Sequence, residues 1–278
     1  MQTRPNVSGK LRGRSLRALI LLALLLVSTH RAVAADDSDT DLAKKTQNPV
    51  ADLISVPFQS DFNFNTGTKD ATVYVLNVQP VIPIKLTEDW NLITRTIMPI
   101  INQPSLFPGM ESAFGMGDIN PTLFLSPKSG TSFIWGAGPT FTFPTATDRL
   151  LGAGKYSLGP AAVALTIRGP WVVGVLGNNQ WSVAGWGHKD VNLMTLQPFI
   201  NYNLDHGWYI TSSPIITGNW TARASDQWTV PVGAGAGRLF KLGKLPINTQ
   251  LTGYYNADRP KNSSDWQLRF QIQFLFPE

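Results

Sequence analysis

Beyond residue 34 the chain carries two histidines, and their settings limit the acid–base chemistry it can offer. His188 lies in Gly187-His188-Lys189-Asp190 and His206 in Asp205-His206-Gly207. A nucleophilic site needs a serine, a base and an orienting residue converging on one point. No serine near His188 has that setting and no His-x-Ser occurs, so His188 reads as a solvated loop residue. Cysteine is absent, which removes thiolate chemistry, disulfides and sulfur ligands together. Asp36-Asp37-Ser38-Asp39-Thr40-Asp41 lacks the glycine and distal glutamate of a calcium loop and reads as a solvated acidic stretch. Leu151-Gly152-Ala153-Gly154-Lys155-Tyr156 resembles a phosphate loop only in outline. Tyr156 stands where serine or threonine is required, so a flexible loop is expected. The residues therefore predict no catalytic site, no metal site and no cofactor.

What remains is polar without being reactive. Arg269, Gln267, Gln271, Gln273, Gln79 and Gln197 fall on the polar faces of alternating segments, and Arg95 joins them subject to the register of a strand whose two faces are less distinct. Their chemistry is water contact and mild solute selectivity along an inner wall. The competing role is plain wall packing.

The element that best shows how such residues are positioned is the last strand. Trp266, Leu268, Phe270, Ile272, Phe274 and Phe276 share one face of an extended segment, opposite Gln267, Arg269, Gln271 and Gln273. The alternation breaks at Leu275. This pattern alone also fits a soluble barrel turned inside out, so context must orient it.

The rest of the chain repeats the theme. Strands are predicted at 52–62, 71–85, 91–103, 117–126, 131–143, 158–167, 171–181, 191–203, 208–217, 227–238, 245–256 and 265–276. Each is long enough to cross a bilayer on a tilt. Tight turns near 86–89, 127–130, 168–170, 204–207 and 239–244 alternate with longer loops near 63–70, 104–116, 144–157, 182–190, 218–226 and 257–264. Outer-membrane barrels have this asymmetry, with short periplasmic turns and longer external loops. Trp90, Trp171 and Trp208 follow short turns, while Trp181, Trp186, Trp220, Trp228 and Trp266 sit in or beside long loops. Two headgroup-level girdles would place them so. Polar faces rich in threonine, asparagine and glutamine, with little lysine or glutamate, suit a lumen better than a water-exposed surface. The fold class predicted is all-β, a transmembrane antiparallel up-and-down barrel of about twelve strands. Eleven prolines fall inside the predicted strands, and none can donate a ladder hydrogen bond.

The amino terminus supplies the compartment. Arg4, Lys10, Arg12, Arg14 and Arg17 precede an apolar run at 18–27 and then Ala32-Val33-Ala34. This is the layout of a secretory signal peptide cleaved after Ala34. Six of the 23 basic residues lie in 1–34 and none of the 18 acidic ones, leaving 17 against 18 in the mature chain. The basic character thus belongs to the signal, and nucleic acid is not an expected partner. Residues 35–51 are expected to form a periplasmic tail, with Asp41 capping a short helix or the segment plugging the barrel mouth. The barrel proper is expected over 52–278.

Pro144-Thr145-Ala146-Thr147 and Leu151-Gly152-Ala153-Gly154-Lys155-Tyr156-Ser157-Leu158-Gly159-Pro160-Ala161 resemble a recurrent segment of a family of small bacterial outer-membrane barrels. So does Asn48-Pro49-Val50-Ala51-Asp52-Leu53-Ile54-Ser55-Val56-Pro57-Phe58-Gln59, which is similar to the mature amino terminus of that family. Its members are described as transporters or as belonging to the MetA pathway of phenol degradation, and some are mislabelled neuromedin U. The resemblance covers residues 43–276 and implies passive passage of small hydrophobic or aromatic molecules. It carries over no catalytic residues. The expected partners are outer-membrane lipid, small-molecule solutes, and the barrel-assembly machinery acting through Trp266–Phe276. Pro277-Glu278 after Phe276 departs from the commonest barrel ending. Two other readings of the same barrel are a structural or surface-interaction protein with a filled lumen and a lipid-modifying enzyme.

Overall fold

In this computed structural model, which describes residues 37–128 and 133–276, one short helix precedes a succession of antiparallel strands. The signal peptide expected at 1–34 lies outside the described residues. Helix α1 (Asp37–Thr46) is followed by β1 (Ile54–Thr66), β2 (Ala71–Val78), β3 (Val81–Lys85), β4 (Trp90–Gln103) and β5 (Ala113–Met116). Then come β6 (Asn120–Pro127), β7 (Phe133–Thr142), β8 (Lys155–Arg168), β9 (Trp171–Gly185) and β10 (Asn192–Asn203). The chain ends with β11 (Trp208–Ser212), β12 (Ile216–Asn219), β13 (Trp228–Leu242), β14 (Leu245–Asp258) and β15 (Trp266–Phe276). β2 with β3, β5 with β6, and β11 with β12 are halves of single broken strands, so the segments make twelve staves.

The sheet closes on itself. β15 pairs with β1 from Phe276 opposite Ile54 to Trp266 opposite Phe64, and β9 pairs with β10. No helix among the described residues is long and apolar enough to cross a membrane. The predicted strands are present among the described residues; the turn expected at 127–130 and the start of the strand expected at 131–143 lie partly outside them. Several strands run further than expected, β9 to Gly185 and β14 to Asp258 among them. The acidic stretch differs from expectation. The helix starts at Asp37, so Asp41 lies inside it and faces Lys44 at 3.4 Å rather than capping an end.

The prolines explain the three breaks. Pro80 lies in the β2–β3 gap and Pro214 in the β11–β12 gap. Across from the first gap stands Pro57, whose carbonyl accepts from Gln79 N at 2.9 Å. Opposite the β5–β6 gap stands Pro99, whose carbonyl accepts from Gly117 N at 2.9 Å. Opposite the β11–β12 gap stands Pro198, between the pairs Leu196–Ile216 and Ile200–Ser212. A residue that cannot donate is thus set beside a partner strand that is not there to accept. Pro139 and Pro160 face each other across β7 and β8. The ladders beyond them skip the same level, between Thr122–Thr140 and Leu125–Ala137 on one side and between Leu158–Trp181 and Ala161–Asn178 on the other. Pro231 sits at a register shift.

The outer surface is apolar. Phe133, Ile210, Leu251, Leu268, Phe270 and Phe276 are all exposed. Aromatic groups gather at both rims: Trp90 with Trp135 and Trp171 with Tyr202 at the short-turn end, Trp220 with Trp228 and Tyr255 with Trp266 at the loop end. Such belts mark the two headgroup regions. The terminal strand is oriented as its pattern predicts, with Phe270 exposed and Arg269 and Gln273 buried in the lumen. In the cysteine-free chain, Phe270→Cys in a bilayer should react with a lipid-confined maleimide and Gln271→Cys with a water-soluble one; the reverse labelling would overturn this orientation.

Candidate functional site in the barrel lumen

Half of the inner wall is polar, and its centre is an ion pair. Alternation in β1 turns Gln59, Asp61 and Asn63 inward, opposite Arg269 and Gln267 of β15. Arg269 Nε donates to Asp61 Oδ1 at 2.8 Å, with both residues nearly inaccessible, at 2% and 5% exposure. Gln59 and Asn77 donate to the other carboxylate oxygen at 2.7 and 3.3 Å. Arg269 also donates to Gln267 Oε1 at 3.4 Å and to the Ser213 carbonyl at 3.2 Å, and lies 5.3 Å over the Tyr254 ring. Tyr254 in turn accepts from Ser213 N at 3.2 Å. The N–H and carbonyl of Ser213, freed by the β11–β12 break, are therefore satisfied by lumen side chains. Tyr209 extends the network by donating to Asn248 Oδ1 at 2.9 Å. It reaches β14 by lying across Gly237 of β13, where any Cβ would come within 2.2 Å of its ring.

The other half of the wall is apolar at the same level. Ile93, Phe124, Val163, Leu165, Val172, Leu176 and Phe199 point inward from β4, β6, β8, β9 and β10 and pack together. Val50, from the segment before β1, inserts into this cluster beside Gly136. Residues 37–51 thus plug the short-turn end. Leu275 explains its break in the terminal pattern here: it packs inside the barrel with Leu239 of β13 and Ala43 of α1. Gln47 and Asn203 exchange amide hydrogen bonds at 2.9 and 3.1 Å. Lys241 pairs with Asp39 at 2.8 Å.

Between the two walls and the plug lies a cavity of about 160 Å³. Gln79, Arg95, Gln197, Arg269, Gln271 and Gln273 all line it, six of the seven residues singled out from sequence. Gln267 stands apart, bonded to Asn63 and Arg269. Arg95 donates to Gln79 Oε1 at 2.7 Å, and Gln273 accepts from Asn248 at 3.2 Å. Asp61, Tyr209, Tyr254 and Val50 were not singled out. The alternation of Phe58, Ser60 and Phe62 against Gln59, Asp61 and Asn63 was the signal that exposes Asp61.

His188 is exposed in the β9–β10 loop and His206 in the turn after β10, at opposite ends of the barrel. The 151–156 segment is not a free loop: Asp118 accepts from Ala146 N and Ala153 N at 3.1 and 2.8 Å, and Lys155 begins β8.

The barrel is similar to a solved outer-membrane channel. With the COG4313 outer membrane channel of Pseudomonas putida F1 it shares 18% identity and a TM-score of 0.59, covering 81% of this chain and 94% of that one. At that identity the likeness speaks for the fold. The CymD monoaromatic hydrocarbon channel aligns at 9% identity and TM-score 0.47, over 89% and 94% of the two chains. The outer membrane phospholipase A of Escherichia coli aligns at 13% and 0.40, over 85% and 98%. No protein-family model matches the sequence, and no curated protein matches it.

Removing one member of a buried pair leaves a desolvated charge, at a cost of about 3–5 kcal/mol. Asp61→Asn should lower the urea midpoint of barrel unfolding correspondingly, and Asp61→Asn with Arg269→Gln should recover most of the loss. A single variant as stable as the parent would show that the pair is not desolvated.

Proposed function

We propose that this protein is an outer-membrane channel for the passive passage of small molecules, held narrow at its periplasmic end by residues 37–51. The observation that carries the reading is the lumen itself. A closed barrel with an apolar exterior encloses a water-compatible wall of amides and guanidinium groups around a cavity of about 160 Å³. A protein that only had to stand in the membrane would gain more by filling that space with apolar side chains. Arg95, Arg269 and the glutamines then serve as the selective wall. The mixture of apolar and polar surface suits amphipathic solutes, aromatic ones included. The signal peptide expected at 1–34, the two aromatic girdles and the fold shared with a solved outer-membrane channel support placement in the outer membrane. Trp266–Phe276, with its outward aromatic row, is the segment offered to the assembly machinery.

A second reading, a structural barrel with a filled lumen, is favoured by the apolar cluster around Val50. One experiment separates the two. In planar bilayers the refolded protein should pass small, rare currents, and deletion of residues 36–51 should raise conductance several-fold. Leu275→Gln in the full chain should act in the same direction by loosening α1. No current from either the deletion or the full chain would sink the channel and leave the filled barrel.

A further inference from the structure

We propose that the mid-barrel cavity is a binding site for small organic monocarboxylates of about benzoate size, with Arg95 holding the carboxylate. The inference deepens the channel reading, on which it rests for the route by which solute arrives.

Charge is the first observation. The ionisable groups that border the cavity are Lys45, Arg95 and Arg269, all basic apart from the phenol of Tyr209. The nearby carboxylate, Asp61, is fully engaged by Arg269, Gln59 and Asn77. Arg95 has no ion pair among the described residues, and its one side-chain acceptor is Gln79 Oε1 at 2.7 Å. A guanidinium carries five N–H donors in a planar fork that matches a carboxylate. A partly buried cation without a counter-charge attracts an anion more strongly than it would in water.

Shape supplies the second. Val81, Leu176 and Phe199 bring the edge of the apolar cluster to the cavity wall, and Gln271, Gln273 and Arg269 make another part of that wall polar. An inorganic anion would leave the apolar side wet. A cavity of ~150 Å³ is known to accommodate a benzene-sized body, and this one is about 160 Å³. A ring or short aliphatic body against Phe199 and Leu176, with its carboxylate on Arg95, uses both sides.

The test is calorimetric titration of the refolded full chain in detergent with sodium benzoate, benzyl alcohol and sodium chloride. Benzoate should bind about tenfold or more tightly than benzyl alcohol, its neutral counterpart, and saturable chloride binding should be weaker still. Arg95→Gln should reduce benzoate affinity by about tenfold or more while leaving benzyl alcohol unchanged, with Arg95→Lys between. Benzoate and benzyl alcohol binding alike, chloride binding as tightly as benzoate, or Arg95→Gln without effect would overturn the assignment. If Arg95→Gln does not refold, as judged by heat-shifted electrophoretic mobility, the comparison of the three probes on the parent protein decides. Benzoate binding with no bilayer current would sustain the site while the channel reading fails. Current with no benzoate binding would sink the site and leave the channel.

Discussion

Hydrocarbon has no hydrogen bonds to offer, so each backbone N–H and C=O at membrane depth must be paired within the protein. Most of this chain's other features follow from that constraint. It requires β15 to return to β1, since an open edge in lipid would leave a row of unpaired groups. It also makes prolines costly, and the barrel accommodates them by pairing defects. Pro57, Pro99 and Pro198 each stand beside a break in the neighbouring stave, and Pro139 faces Pro160 where both flanking ladders pause. At the β11–β12 break the freed Ser213 N–H and carbonyl are taken up by Tyr254 and Arg269. The lumen network is therefore part of the wall's own hydrogen bonding.

This double duty shapes the lumen. Arg269 is held by Asp61, a backbone carbonyl, Gln267 and an aromatic face, so its guanidinium has little freedom left for solute. Arg95, with one neutral partner, has most of its donors to spare. Two arginines at one level with a single acid give the cavity its sign, and the difference in their partners divides the work. One braces the polar wall and the other borders the cavity with donors to spare. The apolar cluster gives the lumen a second character beside this polar wall.

How far all this was legible in the sequence depends on the range of the interaction. Strand period two is local, so the faces of β15, β7 and β10 and the positions of Arg269 and the glutamines are readable from alternation, whereas Arg95 shares its face with Ile93, Ile97 and Ile101 and is placed only by register. The alternation of short and long connections was equally local. The breaks were not readable, because whether a proline interrupts a stave or is absorbed by one depends on the register of the neighbouring strand. Asp61 is not marked by alternation alone, because a single acid among Gln59 and Asn63 looks like any polar position until Arg269 of β15 is brought opposite it. Helix α1 was misplaced because an acidic run resembles a solvated tail until Lys241 and the turn after β10 are brought against it.

The single irregularity of the terminal strand, Leu275, shows what holds the plug. Where the inner face should carry another glutamine it carries a leucine, and that leucine with Leu239 and Ala43 is the dry patch beneath α1. The rest of the dock is Leu42 and Leu53 at the edge of that patch, Val50 in the larger apolar cluster, the partly exposed ion pair of Lys241 with Asp39, the Thr40 hydroxyl on the Leu204 carbonyl and the amide exchange of Gln47 with Asn203. Exposed pairs contribute about 0–1 kcal/mol each, and each buried side chain of the apolar contacts adds about 1.5–3 kcal/mol. Each stave, by contrast, is held by ladders on both sides that lipid cannot replace. Local opening starts where the fewest contacts must break. Among the described residues, the segment before β1 can therefore be released without breaking any ladder hydrogen bond, whereas no stave of the wall can.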